Sequence, residues 1–305
     1  MRYFCISILA LLFVSCNNTI TIEKDGETIL GEDPMEKLED RTLSQEFKDY
    51  WYNGTAEISS YDINVARYGE MREGTGVFIF VTEPFDKKDQ VKADNNNKSN
   101  RPVLKLNASR DFNTGIYPYS IMSSTFLPLD KIDNAIKIAT SVQEWCGHTY
   151  MQFNQDRDEY NVILHSYFQS EGNQEFEVKN VLTENQIPAQ LRLDPKSMPV
   201  GEIQIIPSTE YLRLKHIEAK AYDAMAKLNE IPDGYLYSVK FTDLGRTIAF
   251  KTEKTFPYRI LSWMDRYNDG AIPMVSTGTL KETIQSAYWG KKSKADSVLR
   301  DSLKL

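Results

Sequence analysis

Little in this chain serves the commonest kinds of catalysis. Three histidines are spread over 305 residues, so general-base capacity near neutral pH is scarce. No Gly-x-Gly-x-x-Gly, P-loop, Gly-x-Ser-x-Gly or His-Glu-x-x-His occurs, which removes the usual nucleotide-binding, esterase and zinc-peptidase signatures. Paired acidic residues are present, but none has a spacing that singles out a glycosidase. An excess of base is also missing: 36 Lys and Arg against 43 Asp and Glu leave a net charge of -7. Such a chain is a poor partner for nucleic acid or anionic lipid heads. Internal repeats are absent, and so is the strand-helix alternation of a parallel sheet.

Long apolar runs are equally few. The one at residues 3–14 is too short to cross a bilayer as a helix, and no other reaches ~18 residues. That run follows Arg2 and precedes Ser15 and Cys16, the layout of a secretory leader. Phe13-Val14-Ser15-Cys16 resembles a lipobox, with Phe13 where leucine is usual. The resemblance implies cleavage before Cys16 and acylation of that cysteine, with palmitate-type chains numerous enough for stable anchoring. Asn17 in place of Asp resembles outer-membrane sorting. Loss of the leader removes Arg2 and takes the charge from -7 to -8. Cys5 leaves with the leader and Cys16 is acylated, so Cys146 has no partner for a disulfide. The expected organisation is a leader at 1–15, a flexible acidic tether at 16–43 and one β domain at 44–305.

Residues 44–50 predict a short helix capped by Ser44, with Phe47 and Trp51 inward. Strands are expected at 57–67, 74–82, 103–108, 115–126, 135–142, 175–181, 190–193, 202–206, 235–242, 246–252, 258–263 and 280–289. Pro118 places part of its strand at an edge or bulge. Residues 69–74 read as a connection and 87–101 as a long mobile loop. Alanine and lysine at 218–228 favour a helix. Residues 293–303 predict a terminal helix whose inward stripe is Ala295, Val298, Leu299 and Leu303. The fold class is therefore mainly β: a strongly curved antiparallel sheet, either a half-open barrel or two packed sheets, with a few short helices.

Residues 141–168 hold Cys146, His148 and His165 in two strands joined by a polar turn near Arg157. Side chains alternate along a strand, and a one-residue slip would reverse them all. The parity that puts Trp145, Thr149 and Met151 beside Val162, Leu164 and Phe168 gathers Glu144, Cys146, His148, Tyr150, His165 and Tyr167 on the other face. Cys146, His148 and His165 are thus candidate zinc ligands, with Glu144 or His216 as a fourth. Cys146 with His148 or His165 is also a candidate nucleophile-base pair. The ordinary alternative is a cysteine acting as a small hydrophobe beside hydrogen-bonded histidines. Tyr117, Tyr119, Tyr150 and Tyr167 are candidates to line an apolar ligand site on a curved sheet, or else they belong to a β core.

Residues 46–85, with NTGIYPYSIMSSTF, VQEWCGH and ADSVLRDSL, resemble a family of Gram-negative exported lipoproteins without an assigned activity. The likeness covers most of 46–305. Some members carry the label of septum-formation inhibitor of the Maf kind. That enzyme opens with a strand and a Ser-x-Arg phosphate loop on an α/β fold, which this chain lacks. Asp296-Ser297-Val298 and Asp301-Ser302-Leu303 resemble an O-glycosylation site of exported bacterial proteins, which makes Ser297 and Ser302 candidates. The expected protein is an outer-membrane lipoprotein on the periplasmic side or at the surface, without cofactor. It would bind an apolar or lipid-like ligand, or scaffold an envelope protein. The alternative is a thiol- or zinc-dependent enzyme using Cys146 and His148.

Overall fold

The computed structural model describes residues 38–305 except 96 and 98, and the backbone of a separate short ladder, Glu23–Lys24 with Glu27–Thr28. The leader, Cys16 and most of the expected tether lie outside the described residues. The end of the tether does not hang free. Ile132 N–H donates to Glu39 O, Arg41 N–H donates to Asp130 O, and Asp40 bridges Lys131.

Fourteen strands carry the domain: β1 Ala56–Arg67, β2 Glu70–Asp86, β3 Arg101–Thr114, β4 Tyr117–Pro128, β5 Lys137–Glu144, β6 Gly147–Asp156 and β7 Glu159–Ser166 form its first half. The second half is β8 Asn173–Lys179, β9 Gly201–Ile206, β10 Tyr222–Ile231, β11 Gly234–Phe241, β12 Arg246–Glu253, β13 Ile260–Asp269 and β14 Ile272–Ser286. With the two-residue strands Val91–Lys92 and Leu182–Thr183 they make one unclosed, curved sheet. The half-open alternative is therefore the observed one. Each long strand pairs antiparallel with its chain neighbour, and β14 pairs with β1. Only the step from β8 to β9 crosses between edges. Three residues after β8 ends, Leu182–Thr183 runs parallel to Ile205–Ile206 of β9.

Three of the four helices contribute to the buried cores. The helix α1, Gln45–Trp51, is capped by Ser44 and buries Phe47 and Trp51, as expected. In the crossing segment lies α2, Ile187–Leu193, and between β9 and β10 lies α3, Thr209–Lys215. Ile187, Ala189 and Leu191 of α2 join Tyr61, Phe78 and Leu104 in the main core. The terminal helix α4, Val298–Ser302, follows a single-turn start capped by Ser293. Its expected stripe is mostly wrong: Ala295 and Val298 are exposed, Leu299 is half-buried, and Leu303 is the buried residue.

Two assignments reverse. Residues 190–193 alternate like a strand but belong to α2, because Thr183 and Gln186 form a capping box and Pro188 sits in the first turn. Residues 218–228 have helical propensity, yet 218–221 are irregular and 222–228 form the start of β10, with Ala224 and Ala226 buried against neighbouring strands. Pairing on both sides outweighs a propensity of a few tenths of a kcal/mol per residue. The alternating LRLK just before it is helical in α3, where Ser208 accepts from Tyr211 N–H. The connection at 69–74 shrinks to Tyr68-Gly69, both at positive φ, and β2 starts at Glu70. Within 87–101, Val91–Lys92 folds back on Phe85–Asp86 instead of forming a free loop. Pro118 sits where β4 has run past its pairing with β5, so its missing N–H costs no ladder bond.

Candidate functional site

The hairpin expected around Arg157 forms, with Arg157-Asp158 as a two-residue turn and Arg157 at positive φ. Met151 pairs with Leu164 and Phe153 with Val162, all pointing into the core. His165 lies opposite Tyr150, so His148, Tyr150 and His165 share the outer face, as parity requires. With Gly147, Ser166 and Tyr167 they line a shallow, solvent-open depression of about 400 Å³.

Trp145 and Cys146 depart from that reading. The strand ends at Glu144, which pairs with Gly147, so Trp145-Cys146 is a turn. Alternation stops at a turn, and the indole projects outward to lie near-parallel to Tyr117 at 6.3 Å. The Cys146 thiol is exposed. A hydrogen bond to the Glu144 carboxylate pushes its pKa up, the wrong direction for a nucleophile. Cys146, His148 and His165 are not gathered for a metal: among the described residues no group of three or more His, Cys, Asp or Glu side chains could hold one. Nδ1 of His165 lies 3.3 Å from Asn173 Oδ1, and His216 pairs with Glu171 on the far side of the β7–β8 connection.

The four tyrosines do not line one pocket. Tyr119 is in the core, stacked on Phe112 at 5.1 Å, and Tyr117 is half-buried on the same inner face. Tyr150 and Tyr167 are on the outer side. Ser297 and Ser302 are both exposed in the terminal segment.

A larger concave feature lies elsewhere, at the seam the sheet leaves open. A cleft of about 1280 Å³ runs between the edge strand β8 and residues 212–221. Met151, Leu164, Phe176, Leu212 and Ile217 give it an apolar floor. Charges guard the mouth. Glu171 accepts from His216 and lies 3.5 Å from Arg213, while Lys220 pairs with Glu218. Burial pushes the Glu171 carboxyl up, but bonds from Ser166 and His216 and the charge of Arg213 outweigh it and hold it below the ordinary range. Lys179 of β8 reaches Gln204 of β9 at 3.0 Å, a second clasp across the seam. Sequence reasoning missed this cleft because its two walls are 40 residues apart in the chain and one was assigned the wrong secondary structure.

Behind α3 is a buried ionic network. Arg246 makes paired hydrogen bonds to both Glu184 and Asp265, and Arg110 meets Glu210 at 2.9 Å. Burial pushes the Glu210 and Asp265 carboxyls above their ordinary values despite these arginines. An acid with a raised folded pKa binds more protons folded than unfolded, so its contribution to stability falls as pH rises above about 4. Glu210→Gln is therefore expected to flatten the decline in melting temperature between about pH 4 and 7. An unchanged slope would contradict the assignment.

No protein-family profile, curated protein or solved structure matches this chain.

Proposed function

We propose that the protein is a non-catalytic, lipid-anchored envelope protein that holds an apolar or lipid-like chain in the seam cleft. The observation that carries this reading is the cleft itself: about 1280 Å³ of open space over an apolar floor, rimmed by Arg213 and Lys220. Clefts that bury small ligands are mostly apolar with a few placed polar groups. An acyl chain lies on Met151, Leu164 and Ile217, and an acidic head meets the cations. The leader and the expected acylated Cys16 supply the envelope location. The enzyme alternative is disfavoured by the raised thiol of Cys146 and its exposure on a two-residue turn.

The test is titration of delipidated protein with a fluorescent fatty acid. Ile217→Asp puts a charge at the half-buried wall and is expected to weaken binding about tenfold or more, since burying an unpaired charge costs several kcal/mol. Melting temperature serves as the control for folding. Saturable binding that ignores Ile217→Asp in a folded variant, or no binding at all, would remove the proposal. Mass spectrometry of copurified small molecules gives an independent readout.

A further inference from the structure

Five hairpin tips that follow one another along the sheet all lie at one end of it. They join β13 to β14, β1 to β2, β3 to β4, β5 to β6 and β7 to β8. Each carries a large exposed apolar or aromatic side chain. Ile272 is 51% exposed, Tyr68 55%, Ile116 85%, Trp145 68% and Tyr167 71%. The four two-residue turns, Gly270-Ala271, Tyr68-Gly69, Gly115-Ile116 and Trp145-Cys146, contain no charged residue.

The opposite end is built differently. Its two-residue turns are Arg157-Asp158 and Pro232-Asp233, and residues 86–101 are a polar excursion. Exposed apolar residues occur there too, Val91, Ile132 and Val200 singly and Tyr52, Tyr288 and Trp289 on segments near the chain ends. Two other connections reach the apolar end, from the other arm of the sheet: residues 242–245 are polar, and residues 207–221 carry α3 and the charged Glu210, Arg213 and Lys215.

The tips form a connected rim. A Cβ on Gly69 would lie 3.4 Å from Ile272 Cδ1. Tyr68 and Tyr119 hydroxyls are 2.8 Å apart, Tyr119 and Tyr117 rings 5.9 Å, and Tyr117 and Trp145 rings 6.3 Å. The Tyr167 ring lies on the backbone of Gly147, where a Cβ would be 2.5 Å from Cδ1. Beside it, Phe168 packs on Arg213 and His216 at the cleft mouth.

We infer that this rim is a bilayer-docking edge, in which Trp145, Ile116, Tyr68, Ile272 and Tyr167 enter the headgroup and upper acyl region of a membrane. Trp and Tyr favour that boundary, having an apolar body and a polar tip, and isolated aliphatic tips add buried area. Separate uncharged protrusions suit a fluid surface. The acidic chain argues for zwitterionic heads. The length of chain outside the domain allows it. About 22 residues separate Cys16 from Leu38 and, with Glu23–Thr28 folded back as the short ladder, can still reach ~55 Å, whereas the 12-residue β1 is ~40 Å long. An anchor entering beside Lys131 therefore does not prevent the opposite end from meeting the same membrane. The inference is independent of what fills the cleft.

Full-length mature chain with Cys16→Ser carries no acyl group and leaves Cys146, on the rim, as its single thiol. An environment-sensitive fluorophore there should shift to the blue on adding phosphatidylcholine–phosphatidylethanolamine vesicles. Ile116→Ser with Tyr68→Ser should lower partitioning about tenfold, and Trp289→Ser, at the other end, should not. A Trp289→Phe protein leaves Trp145 as the exposed indole, so its quenching by brominated acyl chains tests the unaltered rim. Absence of quenching, or partitioning insensitive to the rim substitutions, overturns the inference. So does a blue shift that follows protein concentration without vesicles, which would make the rim a protein interface.

Discussion

Arg246→Met is expected to cost about 3–5 kcal/mol of stability at neutral pH, the range for uncovering a buried charge. Arg246 is buried, and its guanidinium lies 3.7 Å from the Tyr211 ring centroid. Its hydrogen bonds to Asp265 are 2.7 and 2.8 Å, and those to Glu184 are 2.6 and 2.7 Å. Methionine fills most of the volume but leaves two carboxylates facing each other. Glu184 also accepts from Ser208 N–H at 2.9 Å, and Ser208 caps α3, so the loss extends to the helix behind the cleft. Arg246→Lys should recover only part, because an ammonium cannot make both paired sets of bonds. The deficit should shrink toward pH 5, since burial already raises the Asp265 carboxyl and it then binds a proton more readily folded than unfolded. Urea unfolding at the two pH values measures both effects. A deficit below about 1 kcal/mol at neutral pH would mean that water reaches the cluster.

The strands that were legible in the sequence are those whose side chains alternate between β-branched or aromatic and polar neighbours. Residues 57–67 and 246–252 read correctly because each faces a core on one side. The 211–228 region misled because local preference and tertiary pairing conflict. Leu212 and Arg213 bury inside a helix, and Ala224 and Ala226 serve as small inward residues of a strand between two partners. No local pattern carries that information.

The turns at the rim were illegible for a related reason. Two-residue hairpins usually advertise themselves with Asn-Gly or Asp-Gly. Trp145-Cys146 puts an aromatic residue where turn chemistry is expected, so it reads as strand, whereas Tyr68-Gly69 lies at the start of the connection expected at 69–74. Tyr68 even adopts positive φ, at roughly 1–2 kcal/mol for a residue with a Cβ. The parity argument placed His148 and His165 correctly because both lie inside regular strands and the Arg157-Asp158 turn that joins those strands falls where it was expected. It failed for Trp145 and Cys146, which lie one step past the end of a strand. The residues that broke the pattern are the ones now assigned to the membrane-facing edge.

Arg192→Met should be comparably damaging, and a second substitution should repair part of it. Arg192 and Glu57 are both fully enclosed, and the pair is bidentate, with Nη2 and Oε2 at 2.6 Å. Nε of Arg192 donates to Pro257 O at 2.7 Å, and its guanidinium sits between the Trp51 and Phe80 rings. This arginine ties α2 to α1, to β1 and to the connection before β13. Removing it strands the Glu57 carboxylate with the Tyr50 hydroxyl as its side-chain donor. A loss of about 3–5 kcal/mol follows. Glu57→Gln in the same chain removes the stranded charge while keeping an acceptor for Tyr50. The double variant should therefore be more stable than Arg192→Met alone, with a coupling of about 1–3 kcal/mol. Glu57→Gln by itself should destabilise, because Arg192 then loses its counter-charge. If chemical denaturation of the four proteins gives additive costs, the pair is not acting as a unit, and the link between α2 and the sheet must come from apolar packing around Ile187 and Leu191 instead.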